Sequence, residues 1–411
     1  MLKYKRNLLK IICIFIIAIF LFPTICIASD TIYTWSNNAK PLTETIPTNA
    51  TTSLSLNVGS AVLIEQNSGQ VLYNQNMHEK LRPASVTKVM TILLIMEAID
   101  SGKLSYSDKI PCSEKAAGMG GSQIWLDVRE ELTVDEMLKA ICVVSANDCT
   151  VAMAEYLAGT EEAFVEQMNS KAKALGMNDT TFKNCHGIDE DGHVTSAYDI
   201  ALMSRELLIK HPSITKYTTI YMDSLRDGKS SLVNTNKLVR NYKGATGLKT
   251  GSTSIALYNL SASATRNDLS LIAVIMKAPT SPIRFAEAQK LLDYGFNNFE
   301  YKKLANKNDL IKEISVDKGI ENSVNAILEN DSGVLIQKGQ NKDIVQSMEL
   351  PDSVSAPVSA GQVLGNVTYS LNGNEIGKVN IIAEKSVGKN TAFNMIEHVF
   401  FNWLSLLRYS K

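Results

Sequence analysis

Short alternating apolar runs and longer stretches with three-and-four spacing succeed one another through the first two thirds of the chain. Residues 61–65 and 70–74 are strand-like, and Gln66-Asn67-Ser68-Gly69 between them is a hairpin signature. Residues 89–96 (Val-Met-Thr-Ile-Leu-Leu-Ile-Met) are apolar almost all round over about two turns, which predicts a helix at the centre of a domain. Such a helix must open its N-terminus into a protected site or cleft. Thr133-x-x-Glu136 is a capping box for a second helix through Met137, Leu138 and Ile141, ending near Ser145. Helical spacing returns over 151–175 and 197–209, strand patterns over 256–264 and 269–276, and a further helix over 284–292. Helices interposed in an antiparallel sheet predict an α+β domain over residues 56–299.

From residue 300 to 388 the pattern changes to short alternating runs. Two of them, 367–371 and 376–383, flank Asn372-Gly373, the strongest short hairpin signal, so this second, smaller domain is read as β-rich. Residues 30–55, dense in Thr, Ser and Asn without periodicity, read as an exposed leader.

Both ends suggest a membrane. Lys3, Lys5, Arg6 and Lys10 precede an uncharged apolar run over 11–22 and then Pro23, the layout of a secretory signal peptide over residues 1–29. The run is shorter than the roughly 20 residues that span a bilayer comfortably. At the other end, within 389–411, Phe393, Ile396, Phe400, Trp403, Leu404 and Leu407 share one helical face, with Asn394, Glu397, His398, Asn402, Ser405 and Arg408 opposite. Spanning would bury Glu397 and His398, whereas lying at the membrane surface keeps them wet. A C-terminal amphipathic anchor is the expectation, and docking on the protein's own core is the alternative. The chain is expected to be exported to the outer face of the cytoplasmic membrane.

Length and composition narrow the choice further. At 411 residues the chain exceeds one compact core, and 45% apolar with 20% charged residues is the balance of a folded protein. Forty-one basic against 42 acidic residues leave a net charge of -1, so no basic field attracts nucleic acid. With Cys13 and Cys26 leaving in the signal peptide, the chain keeps Cys112, Cys142, Cys149 and Cys185, too few and too scattered for a disulfide framework. Cys142 and Cys149 lie two helical turns apart, too far to bridge.

Three motifs carry the candidate chemistry: Ser85-Val86-Thr87-Lys88, Ser145-Ala146-Asn147 and Lys249-Thr250-Gly251. Each alone is weak, since Ser170-x-x-Lys173, Ser213-x-x-Lys216 and Ser323-Val324-Asn325 repeat two of the patterns without context. Ser85 and Lys88, however, fall on one face of the first turn of the buried helix. Desolvation there disfavours an ammonium, so Lys88 can take the proton of Ser85 and make it a nucleophile. Ser145 and Asn147, where the capped helix ends, offer a hydroxyl for proton relay and an amide to grip a carbonyl. Lys249 and Thr250, opening a strand, supply charge and hydroxyl to an anion, and Gly251 permits close backbone approach.

With Arg82-Pro83-Ala84-Ser85, Ser145-Ala146-Asn147-Asp148, His186-Gly187, Ser196-Ala197-Tyr198-Asp199 and Gly247-Leu248-Lys249-Thr250-Gly251 in this order, the chain resembles the low-molecular-mass penicillin-binding proteins, the serine D-alanyl-D-alanine carboxypeptidases. The resemblance is strong over residues 56–299 and architectural beyond. It implies a β-lactamase/transpeptidase-like catalytic domain. Ser85 would form the acyl-enzyme, Lys88 be its base, and Ser145, Asn147 and Lys249 complete the proton and substrate network. Backbone N–H groups of Ser85 and Ser252 would form the oxyanion hole. Thr250, helped by Arg284, would bind the terminal carboxylate of a stem peptide ending in D-Ala-D-Ala. Ser252 stands where many relatives carry a bulkier residue, which leaves the subsite shape open.

The resemblance further implies β-lactams as covalent inhibitors and no cofactor. His186, Asp189 and His193 share a loop, but with no third histidine nearby and no His-Glu-x-x-His they are read as scaffolding and not as a metal site. Three alternatives are weighed. A β-lactamase is disfavoured because no Glu-x-x-Leu-Asn follows the second motif. An endopeptidase on cross-links would use the same residues, and a non-catalytic penicillin sensor would not need the intact set.

Overall fold

Residues 54–339, 344–371 and 373–390 are described by the computed structural model. The expected signal peptide over residues 1–29, most of the expected leader, and the amphipathic pattern over 393–408 lie outside them. No helix among the described residues is long and apolar enough to cross a membrane.

In chain order the first part runs β1 (Ser60–Glu65), β2 (Val71–Gln75), a 3₁₀ turn (Ala84–Thr87), α1 (Lys88–Asp100), β3 (Lys109–Pro111), α2 (Glu114–Ala117), β4 (Glu131–Thr133), α3 (Val134–Val143), α4 (Asn147–Ala158), α5 (Glu161–Ala174), α6 (Ala197–Lys210), α7 (Thr215–Thr218), β5 (Met222–Leu225), β6 (Ser230–Val233), α8 (Leu238–Asn241), β7 (Ala245–Thr253), β8 (Leu257–Arg266), β9 (Leu269–Ala278) and α9 (Ser281–Asn298). Five strands form an antiparallel sheet in the order β2-β1-β9-β8-β7.

The period of two along β1 and β9 divides the interior into two cores. Val62, Ile64, Ile272, Val274 and Met276 face a large cluster with α1, α3, α4, α5 and α6. Ala61, Leu63, Leu271, Ala273 and Ile275 face a second cluster with Phe285, Ala288, Leu291, Leu292 and Phe296 of α9. Strands covered on both faces need apolar residues at every position, hence their continuous apolar runs. Gly295 lets α9 seat on the sheet, since a Cβ there would stand 2.5 Å from a Leu271 methyl.

Helix α1 is buried at Lys88, Val89, Met90, Thr91, Ile92, Leu93, Ile95 and Met96. It runs a turn longer than its apolar stretch because its polar end finds partners: Glu97 pairs with Lys171, and Asp100 with His211. The helical pattern over 151–175 is two helices. Gly159, at φ +83°, ends α4 in a left-handed conformation, and the Thr160 hydroxyl accepts from the Ala163 N–H to cap α5. Cys142 lies in the last turn of α3 and Cys149 in α4, on either side of the Ser145 junction, and the four described cysteines are buried and free. The chain joins the core slightly before residue 56, with the Leu54 carbonyl accepting from the Tyr73 hydroxyl at 3.1 Å.

Beyond α9 come β10 (Phe299–Ala305), β11 (Leu310–Asp317), β12 (Ser323–Leu328), β13 (Ser332–Gln337), β14 (Ile344–Glu349), β15 (Ser353–Ser355), β16 (Val363–Leu371) and β17 (Asn374–Ala383). Strands β10 and β13 pair as a ribbon, and the rest form a sheet in the order β14-β16-β17-β12-β11-β15 around Ile314, Val324, Val367, Tyr369 and Ile381. Strands β16 and β17 meet at Leu371 opposite Asn374, the register a two-residue Asn-Gly turn dictates. Phe299 and Tyr301 of β10 still pack with the second core of the first part, so the β-rich part begins while the earlier core is being closed.

The predicted capping box is present: Thr133 Oγ1 accepts from the Glu136 N–H at 3.3 Å, and Glu136 Oε2 accepts from the Thr133 N–H at 2.8 Å. Thr133→Ala should cost about 1 kcal/mol of stability. It should appear as a lower urea midpoint with unchanged denaturant slope.

Candidate active site

Three elements converge on one point: the 3₁₀ turn entering α1, the α3–α4 junction and strand β7. The turn is held in an unusual shape, with Ala84 at φ +49°. Gly187 makes room for it, since a Cβ at Gly187 would lie 2.0 Å from the Ala84 carbonyl oxygen. From the sheet, Asn259 Nδ2 donates to the Arg82 and Pro83 carbonyls at 2.8 and 3.0 Å, while its Oδ1 accepts from the Lys277 N–H at 2.8 Å. One buried amide thus ties the Ser85 turn to β8 and β9.

Lys88 is fully buried. Its Nζ lies 3.1 Å from Ser85 Oγ, 2.6 Å from Asn147 Oδ1 and 2.7 Å from the His186 carbonyl oxygen. None of the three is anionic. Burial therefore pulls the Lys88 pKa well below its ordinary value, the Lys249 charge pulls it further, and Cys185 and Asp148 oppose the shift. A neutral amine matches the neighbours in number: two N–H groups for the two carbonyl oxygens and one lone pair for the Ser85 hydroxyl proton.

The α3–α4 junction turns at Ser145, whose φ is +68°. Ser145 Oγ is buried with no hydrogen-bond partner among the described residues, so its proton and lone pairs are uncommitted. Asn147 is fixed at both ends of its amide, Oδ1 on Lys88 and Nδ2 donating to the Gly120 carbonyl at 2.7 Å. Its backbone N–H donates to the Ser122 carbonyl at 2.7 Å. Asp148 holds that same loop, accepting from the Ile124 and Leu126 N–H groups at 3.0 and 3.1 Å.

Strand β7 begins at Ala245, so Lys249-Thr250-Gly251 lies inside it and not at its start. The strand passes directly against the nucleophile turn: a Cβ on Gly251 would lie 2.8 Å from Pro83 O, Ser85 N and Val86 N. Lys249 is buried, its Nζ donating to the Thr250 carbonyl at 3.0 Å. Burial pushes it down to about 7, Cys142 opposing and Arg284 reinforcing the shift. Thr250 Oγ1 is 2.7 Å from Thr235 Oγ1. Ser252, opposite Tyr258 in the β7–β8 ladder, is exposed, which leaves that rim open.

Arg284 is 5% exposed and is no surface arginine. Its guanidinium donates to the Gly251 and Asn259 carbonyls at 3.2 and 3.1 Å and to Ser281 Oγ at 3.1 Å, between the rings of Phe285 and Tyr258. It supports β7 and β8 beside Gly251, and its Nε has no partner among the described residues. Burial lowers its pKa to about 10.

The histidine loop is occupied by the fold. His186 Nδ1 accepts from the Ile188 N–H at 3.1 Å, with Nε2 3.4 Å from Glu161; His193 Nδ1 accepts from the Lys183 N–H at 3.0 Å and its Nε2 donates to Thr87 Oγ1 at 2.8 Å. Burial pushes both down to about 4, so both are neutral. Asp189 lies 3.9 Å from Arg82. Among the described residues no group of three or more His, Cys, Asp or Glu is placed to hold a metal.

Asn259, Thr235 and the Gly120–Ser122 loop were not singled out from sequence. A signal existed for Asn259, a strand-averse polar residue between Tyr258 and Leu260 in a buried strand.

Comparison with known proteins follows the same lines. A family model described as D-alanyl-D-alanine carboxypeptidase matches residues 47–280, and one described as penicillin-binding protein 5, C-terminal domain, matches residues 299–389. The chain is 44% identical over 357 residues to the D-alanyl-D-alanine carboxypeptidase DacF of Bacillus subtilis, covering 86% of this chain and 92% of that protein. It is 33% identical over 343 residues to DacC of Escherichia coli, covering 82% and 85%. The structure of penicillin binding protein 5 from Haemophilus influenzae matches with a TM-score of 0.70 and 34% identity over 82% of this chain and 99% of that one. Penicillin-binding protein D2 from Listeria monocytogenes, in its ampicillin-bound form, matches with a TM-score of 0.55 and 30% identity over 60% and 100%.

Because the space of a Gly251 side chain is filled by backbone of the Ser85 turn, Gly251→Ala must push β7 and that turn apart. The expected cost is about 1–3 kcal/mol of stability together with loss of reactivity at Ser85. Thermal unfolding and labelling by a fluorescent penicillin, measured on the same preparation, check both.

Proposed function

The chain belongs to the D-alanyl-D-alanine carboxypeptidase family, a serine peptidase family, and from that premise we propose how its residues divide the work. The activity is removal of the terminal D-alanine from peptidoglycan stem peptides, with β-lactams as covalent inhibitors.

Ser85 Oγ attacks the carbonyl between the two D-alanines as its proton passes to the Lys88 lone pair. The backbone N–H groups of Ser85 and Ser252 receive the developing oxyanion. The proton then travels from Lys88, by way of Ser145, to the nitrogen of the leaving D-alanine. This breaks the peptide bond and leaves an ester on Ser85. Water, giving up a proton to the same amine, hydrolyses the ester and restores the Ser85 hydroxyl. Asn147 holds Lys88 and grips the donor peptide, Lys249 supplies positive charge, and Thr250 receives the terminal carboxylate, while Arg284, expected to share that role, instead braces β7 through the Gly251 carbonyl. The observation that carries this reading is the Lys88 amine 3.1 Å from Ser85 Oγ, with no carboxylate among its hydrogen-bond partners in the described residues.

Incubation with a pentapeptide ending in D-Ala-D-Ala should release D-alanine from the wild type and none from Ser85→Ala. Equal release from both would remove Ser85 from the mechanism.

The reaction needs Lys88 neutral and Lys249 charged. Acylation by a β-lactam should therefore rise with pH as Lys88 loses its proton and fall as Lys249, at about 7 in the free site, loses its own. Removing the Lys249 charge in Lys249→Gln removes a repulsion that lowers the Lys88 pKa, so the rising limb should move to higher pH and the falling limb disappear. Second-order acylation constants across pH test this, and an unchanged profile would contradict it.

The site acts on cell-wall peptide, and we further propose that the basic-then-apolar N-terminus exports the chain and that the amphipathic face over 393–408 holds it at the membrane surface. Truncation after residue 390 should move the protein from the membrane to the soluble fraction without loss of penicillin labelling.

A further inference from the structure

Thr235 lies between two of the elements that build the site. Its backbone N–H donates to the Val143 carbonyl at 3.0 Å, at the end of the helix leading into Ser145, and its hydroxyl meets Thr250 Oγ1 at 2.7 Å. The residues on either side fix its position. Asn234 Nδ2 donates to the Ile220 carbonyl at 2.6 Å and its Oδ1 accepts from the Asn236 N–H at 2.8 Å. The Thr235 hydroxyl is therefore presented to Thr250 by a pinned turn.

Each hydroxyl has one proton to donate and can accept two hydrogen bonds. The single contact between Thr235 and Thr250 uses one of the pair's two protons. A carboxylate only accepts, so the pair can offer it just the other one. If Thr250 donated to Thr235, it would have no proton left for the carboxylate of the acyl donor. We propose that Thr235 is a positioning residue that donates its hydroxyl proton to Thr250 Oγ1, and so leaves the Thr250 proton aimed at the free carboxylate of the substrate. This rests on the reading of Thr250 as a carboxylate-binding group.

The consequence is selectivity for donors with a terminal carboxylate. The test compares a peptide ending in D-Ala-D-Ala with an ester of the same acyl group whose leaving alcohol carries no carboxylate, using wild type, Thr235→Val and Thr235→Ser. Losing one neutral hydrogen bond is worth about a fivefold to tenfold effect. Thr235→Val should therefore lower the ratio of kcat/KM for peptide over ester about fivefold to tenfold, mainly through a higher KM for the peptide. Thr235→Ser, which keeps the hydroxyl, should restore the ratio. An unchanged ratio in Thr235→Val, or a loss in Thr235→Ser equal to that in Thr235→Val, overturns the proposal. If instead Thr250→Val leaves the wild-type ratio intact, the carboxylate-binding reading of Thr250 fails, and Thr235 falls with it.

Discussion

The site depends on one constraint: two lysines are buried together, and among the described residues neither is hydrogen-bonded to a carboxylate. An ammonium removed from water with no counter-ion costs several kcal/mol, and a buried group relieves that cost by shedding its proton. Burial pulls both below their ordinary range, Lys249 to about 7, and the charge Lys249 still carries pulls Lys88 further down. What the fold supplies around Lys88 is two carbonyl oxygens and the Ser85 hydroxyl, partners that a neutral amine can satisfy. The destabilised ammonium is thus the source of the base.

Holding that arrangement takes structure on every side. The apolar surround of α1 keeps water from Lys88, and the sheet sets β7 against the nucleophile turn. Asn259 pins the turn from β8, Gly187 yields space for the Ala84 carbonyl, and Gly251 lets β7 approach the Ser85 backbone. Asp148 and Asn147 hold the loop from Gly120 to Leu126 over the opposite side. Arg284 supports the far side of β7 through the Gly251 carbonyl. The groups expected to react are few, and the groups that keep them in register are spread from residue 82 to residue 284.

The division between legible and illegible features follows sequence distance. Local physics made the β1–β2 hairpin, the Thr133 capping box, the buried run of α1 and the β16–β17 pairing readable, because each is decided by residues within a few positions. Ser85 and Lys88 were readable for the same reason, three residues apart on one helical turn. Contacts made across long separations were not. Asn259 meets Arg82 and Pro83 through more than 170 intervening positions, and Thr235 meets Thr250 only after the chain has passed through α8. Arg284 could be named by its place relative to a motif, yet its burial behind the strand depends on the packing of α9. The helix pattern over 151–175 hid a break at Gly159, because α4 and α5 present compatible apolar spacing to the same core.

The most direct test of the buried-amine account is the protonation state of Lys88 in the free protein. Lysines labelled with 13C at Cε report it by NMR, with the Lys88 signal identified by its loss in Lys88→Gln. A Lys88 signal that titrates far below the usual lysine range of about 10.4 is the predicted result. A Lys88 that keeps its proton up to that range would contradict the account, because the group facing Ser85 would then be an ammonium with no lone pair to receive a proton.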